Sequence, residues 1–204
     1  MTTKIAVLGS TRGTDMQAIM DAIGAGGLDA EISVVISNRL DAYILERARK
    51  HGIDAMFIDY AGKEREAFDR EMAEEIDKRD VNLILLIGFM RILSPWFCRR
   101  YGNRIMNIHP SLVPAFEGGM DLDVHGEVLK RGCKVSGCTL HFITEDVDRG
   151  PIIMQKPVMV DNDDTPETLK EKVQKAEQEV LVRAVRLFGE GKIKVDGNKV
   201  IILE

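Results

Sequence analysis

The sequence predicts an α/β protein, a single domain over residues 1–204 with a mostly parallel sheet in its N-terminal half. Three observations carry that expectation. Short apolar β-runs alternate with amphipathic helical segments through the first half, the pattern of parallel strands joined by right-handed crossovers. Val81 to Ile87 is a nearly continuous apolar run, as in a central strand buried on both faces. After residue 130 two longer strand candidates follow one another and a long helix comes next. The late strands are therefore expected to be antiparallel.

Each element has its own signal. Lys4-Ile-Ala-Val-Leu-Gly9 is the first strand, and Met16, Ile19, Met20 and Ile23 then recur at helical spacing until Gly24-Ala-Gly-Gly27 ends the helix. Ile32 to Ile36 is the second strand, 41–51 a helix closed by His51-Gly52, and Ala55 to Ile58 the third strand. Residues 63–79 read as a helix with Phe68, Met72 and Ile76 on one face. Arg104 to Asn107 is a short strand after the central one. Cys133 to Thr144 alternates as a half-exposed antiparallel strand does, and Ile152 to Val160 follows it. Thr165 and Pro166 suit the N-cap and first position of the long helix, which Gly189 and Gly191 end. Asp196-Gly197-Asn198 joins two terminal strands as a hairpin.

Composition narrows the function classes. Apolar residues make up 45% and charged residues 30%, ordinary values for a globular protein. The formal net charge of −5 argues against a nucleic-acid partner. Cys98, Cys133 and Cys138 have neither metal-ligand spacing nor a disulfide pattern, and read as reduced thiols. The N-terminus is a strand signal rather than a secretion segment, and no apolar run approaches a membrane span. A cytoplasmic protein is expected, with monomer and homodimer both open.

The most informative stretch is Asn107-Ile-His-Pro-Ser-Leu-Val-Pro114. Strand residues alternate sides, so Asn107 and His109 should project together at a strand end. An amide that donates to a developing oxyanion beside an imidazole that moves protons suits acyl transfer. A polar turn leaving a strand has the same letters. Gly9-Ser-Thr-Arg-Gly13-Thr14 opens the first helix and reads either as a phosphate cradle or as an ordinary tight turn. It lacks the dinucleotide and P-loop patterns, and Asp15 is an awkward neighbour for a phosphate. Gly88 to Leu93 follows the most buried strand, as apolar cleft wall or plain core. Asp148 lies in an acidic turn and would raise the pKa of His109 if the two met. Glu177 falls on the apolar stripe of the last helix, so it lines a cavity or escapes at the edge. His141 receives no chemical role, and His125 and His51 read as turn or surface residues. Asp121, Asp123 and His125 are better explained by a solvated loop than by a metal site, and no metal is expected.

Asn107 to Pro114, Gly88 to Leu93, Gly137 to Phe142, Asp146 to Ile152 and Asp164 to Thr168 occur in order and at suitable spacing. Taken together they resemble the phosphoribosylglycinamide formyltransferase family over nearly the whole chain. The resemblance implies a Rossmann-like formyltransferase fold, with a phosphate-binding half at 1–106 and a catalytic and folate-binding half at 107–204. It implies formyl transfer from 10-formyltetrahydrofolate, as co-substrate, to the amine of glycinamide ribonucleotide in purine synthesis, without metal. Asn107, His109 and Asp148 match the catalytic trio. Gly13, Thr14 and Asp15 match the phosphate stretch, with Arg12 beside it, and Glu177 matches an acidic residue on the glycinamide substrate. Met90, Arg91, Ile92, Leu93 and Thr144 match folate-pocket positions, and Arg65 a basic residue near the cleft.

Three departures stand out: Asp15 where relatives commonly have Asn, Arg149 where they often have a small residue, and a longer link over Glu117 to Asp123. Methionyl-tRNA formyltransferase and formyltetrahydrofolate deformylase share the catalytic core, but their relatives carry an extra domain. A non-catalytic folate- or phosphate-binding relative is the remaining alternative.

Overall fold

The computed structural model describes residues 2–118 and 121–203. Its elements are β1 (Thr3–Leu8), α1 (Thr14–Gly24), β2 (Ala30–Ser37), α2 (Tyr43–Lys50), β3 (Ala55–Phe57), α3 (Arg65–Asp77), β4 (Leu83–Leu86), α4 (Pro95–Arg100), β5 (Ile105–His109), α5 (Asp121–Lys130), β6 (Val135–Phe142), β7 (Ile152–Met159), α6 (Pro166–Gly189), β8 (Ile193–Asp196) and β9 (Lys199–Ile202). One nine-stranded sheet runs in the order β3-β2-β1-β4-β5-β6-β7-β9-β8. β1 to β5 pair in parallel, and β6 pairs antiparallel with both β5 and β7. β9 touches β7 in parallel at Ile152–Lys199 and closes the expected hairpin with β8.

The apolar runs are explained by burial on both sheet faces. Along β1, Ile5 and Val7 join a core shared with α1, α2, α5 and α6. Ala6 and Leu8 face the other way, into a core with α3 and α4. Phe68, Met72 and Ile76 of α3 are fully buried, as their spacing predicts. α6 starts on a capping box: Thr168 N donates to Thr165 Oγ1 and Thr165 N donates to Thr168 Oγ1. That closure satisfies two amides that a helix start otherwise leaves open.

Three elements differ from expectation. β6 is not half-exposed; beyond Val135 it is buried along its length. It lies between β5 and β7, with the α5–α6 core on one face and the turn after β5 on the other, so both of its faces are covered. The alternation of Thr139 and His141 with Cys138 and Leu140 therefore separates two interiors rather than core from water. Asp121 to His125 is not a loop but the opening of α5. Its apolar residues Val124 and Val128 are buried against the α6 side. α4 was not anticipated, although Ser94 caps it by accepting from Phe97 N at 3.3 Å and Pro95 holds its first turn. Gly119 and Met120, within the longer link, lie outside the described residues. Among the described residues no helix is long and apolar enough to cross a membrane.

Strand order reverses between β1 and β4, and the loops leaving these two strands part there. In open α/β sheets that crevice is where ligands enter. Ser10 ties the two loops together: its N–H donates to Gly88 O at 3.0 Å, and its hydroxyl accepts from Met90 N at 2.8 Å.

Candidate active site

A cavity of ≈ 760 Å³ opens at this crevice. Arg12 to Asp15 line it from the β1–α1 loop, Met90 to Leu93 from the β4–α4 loop, and Asn107 and His109 from the end of β5. Thr144 and Asp148 come from the β6–β7 loop, and Glu177 from α6. The lining crosses the division at residue 106, so neither half of the chain forms the site alone. Arg65 is not on this wall; it starts α3 and is exposed.

The catalytic candidates converge because β5 carries two of them and a left-handed turn returns the third. Asn107 and His109 share one side of β5, as alternation requires. Asp148 has φ 54, a conformation few non-glycine residues adopt. Its carboxylate lies 3.5 Å from His109 Nδ1 and accepts from Gly118 N at 2.9 Å. Gly150, two residues on, has no room for a side chain: an added Cβ would sit 1.8 Å from Phe142 O.

His141 completes the group, and alternation alone did not reveal it. It pairs directly with Asn107 across the antiparallel ladder. Its Nδ1 faces Phe142 O at 3.0 Å. Nε2 lies 3.5 Å from Asp148 Oδ1 and 3.2 Å from Asn107 Nδ2; with a proton it donates to the carboxylate, and without one it accepts from the amide. In the latter form the bond orients the Asn107 amide and leaves its second N–H for the cavity. Thr139, one ladder step further, accepts from Val113 N at 3.0 Å and donates to Ser111 O at 2.7 Å, fixing the turn after His109.

Electrostatics separate the two members of the His109–Asp148 pair. The bond with His141 leads the causes that hold the Asp148 carboxyl down at about 2, with the Gly118 amide and His109 adding to it and burial opposing. His109 goes the other way from expectation. Burial lowers its pKa and outweighs the nearby Asp148 charge, so the ring is neutral near pH 7. Both ring nitrogens nevertheless face acceptors, Nδ1 toward Asp148 and Nε2 toward Phe116 O at 3.0 Å. A neutral imidazole donates to one only. The geometry thus stabilises an imidazolium as it forms, while burial keeps the resting ring uncharged.

The remaining residues make two end walls. Gly13 precedes α1 with φ 67 and gives no side-chain cap, so the amides of the first turn point outward past it. An added Cβ there would meet Ile44 at 2.4 Å. Such a helix start favours an anion. Asp15 and Glu177 are both buried beside it, at 8% exposure each. Glu177 thus takes the cavity position rather than the edge. The other wall is apolar: Met90 and Ile92 are exposed to the cleft and Leu93 is buried. Arg91 stacks over Tyr60 at 4.2 Å and Phe68 at 5.1 Å. His125, read from sequence as a turn or surface residue, is 1% exposed and lines the cavity from α5. A helical reading of Val124 and Val128 would have placed it there. Cys98 also lines the cavity, but burial pushes its thiol up to about 11, so it is not a thiolate. Among the described residues no three His, Cys, Asp or Glu side chains are grouped to hold a metal, and the side chain of Asp121 lies outside them.

Comparison with known proteins identifies the family. A family described as formyl transferase matches residues 3–185. Phosphoribosylglycinamide formyltransferase of Escherichia coli (strain K12) is 39% identical over 195 residues, covering 95% of this chain and 91% of that one. The trifunctional purine biosynthetic protein adenosine-3 of Bos taurus is 40% identical over 96% of this chain, which spans only 19% of that longer protein. Among solved structures, glycinamide ribonucleotide transformylase 1 from Symbiobacterium toebii superposes with a TM-score of 0.94 at 44% identity, covering 100% of this chain and 95% of that one. A formyltetrahydrofolate deformylase from Pseudomonas syringae pv. tomato superposes at 0.91 with 27% identity, and this chain covers 67% of it. With its family match across most of the chain and its full-length likeness to such enzymes, the chain belongs to the formyl transferases, within the phosphoribosylglycinamide formyltransferase family.

Proposed function

We propose that this protein transfers the formyl group of 10-formyltetrahydrofolate to the amine of N1-(5-phospho-D-ribosyl)glycinamide, in purine biosynthesis. The observation that carries the reading is the convergence of Asn107, His109 and Asp148 on one cavity whose end walls suit the two substrates. The α1 start, with Arg12, Gly13 and Thr14, suits the substrate phosphate. Glu177 takes the glycinamide part. Met90, Ile92 and Leu93, with Thr144, form the folate wall. Arg91 supports that wall through Tyr60 and Phe68, and Arg65 acts from outside it on the anionic tail. The cavity volume is in the range of small-molecule sites. The reading places the protein in the cytoplasm with small-molecule partners.

The mechanism is direct acyl transfer. The amine attacks the formyl carbon, and the carbonyl electron pair moves to oxygen. The free N–H of Asn107 donates to that oxyanion. An intervening water carries the proton the amine loses to neutral His109, whose ring nitrogens both face protein groups, and Asp148 stabilises the resulting imidazolium. The carbon–N10 bond then breaks, and N10 receives the proton from His109. His141 stands behind Asn107 and Asp148 on the neighbouring strand. No covalent intermediate is required, because the folate already carries an activated formyl group.

The test offers 10-formyltetrahydrofolate with glycinamide ribonucleotide, with formyl-acceptor tRNA, or with water alone, and follows the deformylated folate. Turnover with the first acceptor alone supports the reading. Water-dependent loss alone assigns a deformylase, and no turnover assigns a binding protein.

A further inference from the structure

Residues Phe116 to Gly118 form an arch over the reacting pair. The Phe116 carbonyl faces His109 Nε2 at 3.0 Å, and the Gly118 amide donates to Asp148 Oδ2 at 2.9 Å. One three-residue stretch therefore touches both groups, at His109 Nε2 and at the same Asp148 oxygen that faces His109 Nδ1. Its backbone is left-handed at Phe116 (φ 60) and at Gly118 (φ 70). For Phe116 that conformation persists only where surrounding contacts impose it.

Phe116 packs against the core, and two cations add to that hold on the arch. Arg131, just past α5, lies over the Phe116 ring at 5.3 Å. Arg149, the residue after Asp148, places Nε 3.8 Å from Glu117 Oε2. The second contact joins the arch to the very turn that carries Asp148. From these contacts we infer that Arg149, acting through Glu117, is a positioning residue: it fastens the arch to the Asp148 turn and so keeps His109 and Asp148 in register for transfer. The inference rests on the formyl-transfer reading above. A cation in this turn has another obvious use, binding the anionic tail of the folate, but here its guanidinium is directed at Glu117.

The pair is exposed, with 70% of the Arg149 side chain and 31% of the Glu117 side chain accessible, so its effect is modest. An exposed ion pair corresponds to about a two- to five-fold change in rate. Arg149→Met and Glu117→Gln are each expected to lower kcat by about that factor, with KM for both substrates unchanged. The double variant should be no slower than the slower single one. Added salt should narrow the gap between wild type and Arg149→Met. A general loss of structure would move KM and melting temperature as well. A rise in KM for 10-formyltetrahydrofolate at unchanged kcat in Arg149→Met would overturn the inference in favour of folate-tail binding. Additive losses would overturn it too. Wild-type protein that fails to formylate glycinamide ribonucleotide removes the functional reading itself, and this inference with it; coupled controls on active wild type separate the two failures.

Discussion

Replacing Asp148 by Asn keeps the shape of the side chain and removes its charge. The carboxyl is held at about 2 against an ordinary 3.8. At ~1.4 kcal/mol per pH unit, that difference is about 2 kcal/mol of folding stability near neutrality. Because the folded pKa is depressed, the contribution is complete above the unfolded value near 4 and disappears as pH falls through 2. By linkage about half should remain at pH 3. Urea unfolding of wild type and Asp148→Asn, compared at several pH values between 7 and 3, measures it. The gap should be about 2 kcal/mol at pH 7 and should narrow steadily below pH 4. A gap that stays constant with pH would show that Asp148 acts through shape alone, and would refute the electrostatic account of its bonds with His141 and Gly118.

Other outcomes follow from the same contacts. Gly150→Ala should lower kcat by at least tenfold, because its Cβ collides with the Phe142 carbonyl and must displace the turn that presents Asp148; a fully active variant would mean that the turn tolerates movement. Arg12→Ala should raise KM for glycinamide ribonucleotide several-fold and leave KM for the folate unchanged, and an unaltered KM would remove Arg12 from the phosphate site. Since burial lowers the pKa of His109, the acidic limb of kcat/KM should fall below pH 6.5. A limb above that value would mean that Asp148 prevails over burial in the working enzyme.

Much of this architecture was legible because strand and helix periods differ. The apolar runs at β1, β2 and β4 announce strands covered on both faces, and Phe68, Met72 and Ile76 announce the buried stripe of α3. The site was legible where a residue's chemistry conflicts with its position. Glu177 on an apolar stripe is such a case, and the structure puts it on the cavity wall. His141 was missed because period-two alternation does not say whether the second face meets water or another part of the protein. Here that face meets Asn107 and the Asp148 turn. His125 was missed because acidic residues before it resemble a solvated loop, while Val124 and Val128 carry the helix. The Asp148 charge raises the pKa of His109 as expected, but the net shift was not legible for a different reason. Sequence names the neighbouring charge but not the depth of burial, and burial is the larger effect. The arch at Phe116 to Gly118 depends on left-handed backbone at a non-glycine residue, for which the letters give no signal.

The central claim is that Asn107, His109 and Asp148 act as one unit in the transfer step. Single-turnover formylation of glycinamide ribonucleotide by Asn107→Ala, His109→Ala, Asp148→Ala and the triple variant tests it most directly. Each single variant should lose rate far more than binding, and the triple variant should be about as slow as the slowest single one. Near-wild-type transfer in any single variant, or losses that multiply in the triple, would contradict the account.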